Sequence, residues 1–260
     1  MSIIIKKAWI KLKKALFCTP LGLALFRLLY KDKQQFTCPI CFYNGPFIDI
    51  NPETGFRKHA SCPKCGSFER HRLQYLVVEE IAKMNDFSNM SILHFAPEPF
   101  FQELFRRKFG SYTSADLNMT NVDYQIDLLN IPFDNESFDF VFESHVLEHI
   151  KDDGKALSEI SRILKQNGTA VLPVPIVADE TIEYPEPNLY EAVHVRAPGP
   201  DYYKKYSLYF KKIEKFNSKT FPDIYQLFIY EDRSKWRKTM PLRPTVEGEK
   251  HIDIVPICYK

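Results

Sequence analysis

Two short cysteine pairs constrain this chain more than any other feature of its 260 residues. Cys38-Pro39-Ile40-Cys41 and Cys62-Pro63-Lys64-Cys65 are C-x2-C units with 20 residues between them, the spacing of a site in which four thiolates close around one metal ion. Each unit must fold back so that both sulfurs face one point; the proline after each leading cysteine and Gly66 behind the last suit that turn. Between the pairs the chain is β-like and rich in turn dipeptides (Asn44-Gly45, Asn51-Pro52, Thr54-Gly55). It holds too little apolar surface to fold alone, so metal binding is expected to supply the missing stability. Zinc is the expected ion, with iron in the same ligand set as the alternative. Four cysteine ligands leave no open position, which makes the site structural. Cys18 and Cys258 stand apart and are expected to be ordinary thiols, while His59 and His71 are not needed as ligands. Cysteines used in this way point to a reducing, cytoplasmic setting.

Around this module, residues 36–72, the chain divides into a basic segment (1–35) and a large domain (73–260). With 45% hydrophobic and 26% charged residues it has an ordinary globular composition, and its net charge of +2 is too small to argue for nucleic acid. The charge is uneven. Residues 1–30 hold six Lys/Arg and no acid, so the remaining 230 residues are net −4. The apolar run Ala15 to Tyr30 is short for a membrane span, contains Arg27 and Pro20-Leu21-Gly22, and is followed by no cleavage-site pattern. Two readings remain for it: an amphipathic segment lying in the interface of the inner membrane face, or a helix packed on the protein's own body.

From residue 73 onward strand and helix patterns alternate. Strands are expected near 91–96, 111–116, 124–127, 138–143 and 169–175, and helices near 99–109 and 146–165, the second ending at Asn167-Gly168. The alternation predicts an α/β fold: a Rossmann-like, doubly wound, mostly parallel sheet with ligands at the carboxyl ends of its strands. Polar residues collect at those ends: Asp116 lies 22 residues past His94, Asp127 follows on the next strand, and Glu143, Ser144 and His145 close the fourth. Together they point to a nucleoside-containing ligand. The first strand ends in Ala96-Pro97-Glu98-Pro99, with no glycine. Ala96 is nearly as small, both prolines fix φ, Glu98 is held extended before Pro99, and Pro99 suits the first position of a helix. A proline-stiffened turn of this kind suits a ligand without phosphates.

The stretch "IPFDNESFDFVFESHVLEHIKDDGKALSEISRILKQNGTAVLPVPI" (131–176) resembles class I S-adenosylmethionine-dependent methyltransferases of the small-molecule type. "LHFAPE" behind a four-cysteine zinc ribbon looks like one subgroup of them, and "HVRAPGPDYYKKY" (194–206) is a looser match. The resemblance covers 38–216. It implies S-adenosylmethionine held by Phe95, Ala96, Pro97, Glu98, Asp116, Asp127, Leu128 and Ser144, with His145 facing the pocket. His94 stands where the family carries an acid. His145 and His194 are the candidate bases, and residues 177–209 the expected cover of the acceptor, with Tyr202, Tyr203 and Arg196 as contacts.

The resemblance implies a methyltransferase for a small-molecule or glycan acceptor, at the membrane surface if residues 1–30 bind there. Two alternatives stand beside it. One is a zinc-ribbon RNA methyltransferase using Arg57, Lys58, Lys64, Arg70, His71 and Arg72; the other is a non-catalytic module that kept the fold. His145-Val146-Leu147-Glu148-His149 also spells H-x-x-E-H, the signature of a class of zinc peptidases. It straddles a strand end and a helix start, which disfavours that reading.

Overall fold

A computed structural model describes residues 19–52, 56–232 and 248–260; most of the basic segment, with five lysines and Cys18, lies outside them. In chain order the elements are helix α1 (Pro20–Leu29), strands β1 (Phe36–Thr37), β2 (Asn44–Gly45), β3 (Ile48–Ile50) and β4 (Phe56–Ser61), then helix α2 (Glu69–Ala82). There follow β5 (Ser91–Phe95), α3 (Pro99–Lys108), β6 (Ser111–Asp116), β7 (Tyr124–Gln125), β8 (Phe138–Phe142), α4 (Asp153–Ile163) and β9 (Leu164–Val171). The chain closes with β10 (Ile182–Asn188), β11 (His194–Ala197), β12 (Lys212–Asn217), β13 (Ile229–Asp232), β14 (Lys250–His251) and β15 (Ile254–Tyr259). Among the described residues, no helix is long and apolar enough to cross a membrane.

The larger compact unit, residues 77–217 and 254–260, holds a seven-stranded sheet in the order β12-β15-β9-β8-β5-β6-β7. The run from β9 to β7 is parallel, and β15 pairs antiparallel with both β9 and β12. β5 sits where the chain direction reverses: it leads out to β6 and β7, and the chain then returns to β8 on its other side. The crevice at the carboxyl ends of β5 and β8 is therefore a switch point, where such sheets bind ligands. Both central strands are apolar runs, SILHF and FDFVF, as strands covered on two faces require. Ala156, Leu157, Ile160 and Ile163 of α4 recur at helical spacing and pack into one core with Leu93, Val141 and Leu172.

The expected helix over 146–165 is not one helix. Leu147–His149 form a single 3-10 turn, and α4 begins at Asp153 behind Asp152, whose Oδ1 accepts from the Lys155 amide at 3.0 Å. The cause lies elsewhere in the chain. Arg196 donates to the carbonyls of Leu147, Ile150 and Lys151 at 2.7, 2.6 and 3.0 Å, acceptors that a continuous helix would need for its own ladder. At the other end α4 stops at Ile163, and Asn167-Gly168, expected as its cap, instead lies within β9, Asn167 at φ 64°. The fifth strand accordingly runs over Leu164–Val171 rather than 169–175.

The smaller unit comprises the described residues up to Leu76 together with 218–232 and 248–253. Its main sheet, β14-β13-β4-β3, is antiparallel, with Tyr230, Glu231 and Asp232 opposite Lys58, Arg57 and Phe56. The division expected at residue 73 thus differs from the compact units, because an unpaired edge of β4 is costly and residues near the C-terminus cover it. Arg72, fully buried, donates to the carbonyls of Ala60, Ser67, Tyr225 and Gln226 and so joins the two parts. Helix α1 packs on the protein's own body through one face. Leu23 packs with Phe36, Cys38, Tyr43, Phe47 and Cys62, while Leu21, Leu25, Leu28 and Leu29 are exposed.

Candidate active site

β5 delivers Phe95 to the crevice, and the chain turns at once. Ala96 adopts φ 46°, the left-handed region that favours glycine, and its amide donates to the Ala115 carbonyl at 3.0 Å. Glu98 is extended (φ −75°, ψ 136°), Pro99 opens α3, and the Gln102 side chain donates to the Pro97 carbonyl at 2.9 Å. The turn is thus intact without glycine; the left-handed alanine costs roughly 1–2 kcal/mol, which the rigid surroundings hold in place.

β6 ends in Asp116, whose Oδ1 accepts from the amides of Asn118 and Met119, both at 2.7 Å, fixing the carboxylate at the crevice edge. Asp127 caps its own turn in the same way, accepting from the Leu129 amide at 2.9 Å. On the far side of β5, β8 runs into Glu143, buried, whose Oε1 accepts from the Val146 amide at 2.5 Å. That bond bends the chain at His145, also left-handed at φ 61°. Burial, reinforced by the neighbouring Glu148, pushes the Glu143 carboxyl well above the usual range, against the pull of the Val146 amide. His149, exposed at the rim of the crevice, is held below the usual imidazole value by desolvation, partly offset by its hydrogen bond with the Val193 backbone.

These elements enclose a cavity of about 320 Å³, lined by Phe95, Ala96, Asp116, Leu117, Asn118, Ile126, Asp127, Leu128, His145, Val146, His149 and Ile150. It therefore brings together Phe95, Ala96, Asp116, Asp127, Leu128 and His145 from the expected set. Pro97, Glu98 and Ser144 are not among its lining residues, and His194 stands one ring away, its centroid 4.7 Å from that of His149. His94 points into the core, among the rings of Phe101, Phe105, Tyr112 and Phe142, and takes no part in the cavity. The expected acceptor contacts are placed otherwise too. Tyr202 donates to Asp153 at 2.6 Å, the Tyr203 hydroxyl meets the backbone of Val174 and Ile254, and Arg196 grips the 147–151 carbonyls. All three are about 1% exposed, so they build the fold instead of meeting a ligand. Sequence reasoning missed His149 as a lining residue; its only signal was the H-x-x-E-H text.

In the smaller unit the four expected cysteines converge. Cys38 and Cys65 sulfurs are 3.6 Å apart, as are those of Cys41 and Cys62, and all four lie within 4.8 Å of one another. The edge of a tetrahedron with zinc–sulfur bonds of about 2.3 Å is about 3.8 Å, so the donor set fits zinc. The two turns are copies. Cys38 and Cys62 amides donate to the carbonyls of Tyr43 and Ser67, and the amides of Phe42 and Gly66, both left-handed, donate back to the cysteine carbonyls.

Residues 103–172 match the family model described as a methyltransferase domain. That stretch marks a class I S-adenosylmethionine-dependent methyltransferase domain in the larger unit. The methyltransferase is similar to several solved structures. One is an S-adenosylmethionine-dependent methyltransferase from Mesorhizobium loti (12% identity, 70% of this chain and 96% of that one, TM-score 0.45). A second is a methyltransferase from Bacillus halodurans (16%, 71% and 95%, TM-score 0.43). A third is phosphoethanolamine N-methyltransferase 2 from Haemonchus contortus, solved with phosphomonomethylethanolamine and S-adenosylhomocysteine (19%, 70% and 52%, TM-score 0.45).

Proposed function

We propose that this methyltransferase modifies a small-molecule or glycan acceptor at a membrane surface, with the acceptor entering beside His145 and His149. The observation that carries the reading is the cavity: an acid at the end of β6, apolar walls from Leu117, Ile126 and Leu128, a small residue at the β5 turn, and imidazoles opposite. S-adenosylmethionine would suit this lining: Asp116 would accept from the ribose hydroxyls, the apolar walls would take the adenine, and Ala96 would let backbone pass close to the methionine end. When bound, the cofactor supplies an electrophilic methyl on a sulfonium and leaves as a neutral thioether. The protein's own task is alignment and acceptance of the acceptor's proton. His145 lines the cavity, so its imidazole is placed to take that proton; His194 stands behind His149 and does not reach the cavity itself.

The cations that would favour RNA are largely engaged within the smaller unit. Arg57 pairs with Glu69 at 2.8 Å, Lys64 donates to the Cys41 carbonyl at 2.9 Å, Lys58 is 3.5 Å from Glu249, and Arg72 is buried. His71 accepts from the Phe68 amide at 3.1 Å. A continuous basic stripe on this unit is not supported. The exposed leucines of α1, directly following a segment with five lysines and no acid, support peripheral contact with an anionic leaflet on the cytoplasmic side. The cysteine cluster is proposed to hold zinc and to act only on stability.

Incubating the protein and trideuteromethyl S-adenosylmethionine with fractionated cell extract tests the acceptor class. Deuterium is expected in the small-molecule or lipid-linked glycan fraction; its appearance in RNA alone would contradict the reading. Flotation with vesicles containing phosphatidylserine tests the location, and Leu25→Glu with Leu28→Glu should move the protein out of the vesicle layer.

A further inference from the structure

We infer that Glu148, His149 and His194, with His145 in reach, form a site for a divalent transition-metal cation on the acceptor side of the cavity, distinct from the cysteine cluster. The inference rests on the proposed function only for calling that side the acceptor's. One ligand atom from each of Glu148, His149 and His194 lies within 4.8 Å of the other two. Glu148 Oε1 is the hub, 3.7 Å from His145 Nδ1, 3.9 Å from His149 Nε2 and 4.0 Å from His194 Nε2. An ion about 2.1 Å from such donors brings neighbouring ligand atoms to about 3–3.4 Å, so closing the set of Glu148, His149 and His194 takes side-chain shifts on the order of 1 Å. Ring packing accounts for the edge-to-face pair of His149 and His194, and the buried Glu148 carboxylate oxygen, within 4.0 Å of three imidazole nitrogens, adds an anionic donor among them.

The backbone prepares this set from two directions. His145 is fixed in the left-handed region at the end of β8, and the 3-10 turn Leu147–His149 presents Glu148 and His149. β11 supplies His194, and two residues on, on the same face of the strand, Arg196 clamps the carbonyls of Leu147, Ile150 and Lys151. The strand that carries one ligand thus locks the turn that carries two others. Positioning of this kind, by a residue 2% exposed at its side chain, is what a preorganised ligand set needs.

The donor set selects the ion. Imidazole with one carboxylate suits the series from Mn²⁺ to Zn²⁺, whereas Mg²⁺ and Ca²⁺ prefer oxygen throughout. Three or four protein ligands leave positions open, and His145 and His149 both line the cavity, so those positions face it. An acceptor bearing a hydroxyl, phenol or carboxylate oxygen would complete the shell, which narrows the substrate class to molecules that chelate through oxygen. The H-x-x-E-H text then has a use across a strand end and a short turn, without the helix that the peptidase geometry requires.

The test uses the full chain with its cysteine cluster first loaded with one equivalent of zinc and freed of excess metal, and Mn²⁺ as probe. Loss of the free Mn²⁺ electron paramagnetic signal should show one ion bound per chain, and pulsed spectra of the parent protein should carry hyperfine coupling to imidazole nitrogen. Glu148→Gln and His194→Gln should each weaken binding tenfold or more while leaving far-ultraviolet circular dichroism unchanged. No retention of Mn²⁺ at millimolar concentration, bound Mn²⁺ without nitrogen coupling, or equal binding by folded variants would overturn the site. Titration with S-adenosylmethionine in the presence of a chelator separates the two readings. Cofactor binding without Mn²⁺ binding removes this inference alone, and Mn²⁺ binding without cofactor binding removes the proposed function alone.

Discussion

Replacing His94 with phenylalanine should make the methyltransferase unit less sensitive to acid. The imidazole sits in the central strand, 1% exposed, with the rings of Phe105 and Phe142 at 5.1 and 5.3 Å and Nδ1 3.1 Å from the Tyr112 hydroxyl. Burial pulls its pKa from 6.5 down to about 3. The folded value lies below the unfolded one, so as pH falls the unfolded chain takes up the proton first. The stability that depends on a neutral His94 is complete above pH 6.5 and is lost progressively between 6.5 and about 3. Each pH unit in that window is worth about 1.4 kcal/mol, so lowering the pH from 7 to 5 costs about 2 kcal/mol through this one group. Urea unfolding at both pH values, followed by circular dichroism, reads the difference for each protein, which cancels the constant packing change of the substitution. The phenylalanine variant should lose about 2 kcal/mol less than the parent on acidification. Equal losses would show that His94 is protonated or solvated in the folded state and would refute the reasoning.

Three further outcomes follow from local geometry. Ala96→Gly relieves about 1 kcal/mol of left-handed strain but frees the unfolded chain by a similar amount, so its melting temperature should stay near the parent's. Ala96→Val, β-branched at positive φ, should lose about 2 kcal/mol, and equal melting of the two variants would contradict the strained turn. Arg196→Lys keeps the charge but cannot hold three carbonyls and Glu183 together, so urea unfolding should show a loss of about 3 kcal/mol; a loss near zero would remove the clamp. Cys62→Ser with Cys65→Ser should release one zinc per chain by elemental analysis, and retention of that zinc would sink the cysteine site.

What could be read from the chain divides along local and distant causes. The cysteine knuckles, the Pro97 to Pro99 turn and the parallel strands are set by residues next to one another, and each stands close to where the sequence predicts it. Asp116 and Asp127 were legible for the same reason, since each ends a strand and caps its own turn. The break at Leu147 to Asp152 was not, because the clamp that imposes it comes from Arg196, more than forty residues later. Arg196, Tyr202 and Tyr203 were expected as ligand contacts because they lie in 177–209, the stretch expected to cover the acceptor. Only the folded chain shows that each donates to backbone or to a buried acid. Likewise nothing local marks Tyr230 to Asp232 as partners of β4, an edge pairing that joins residues about 170 positions apart.

Calorimetric titration with S-adenosylmethionine addresses the pocket directly. Saturable binding of one equivalent is predicted, weakened ten- to a hundredfold by Asp116→Ala, as loss of charge-assisted hydrogen bonds worth about 1.5–3 kcal/mol requires. Absence of saturable heat at millimolar ligand, or equal affinity in the two proteins, would contradict the assignment of this cavity to the cofactor.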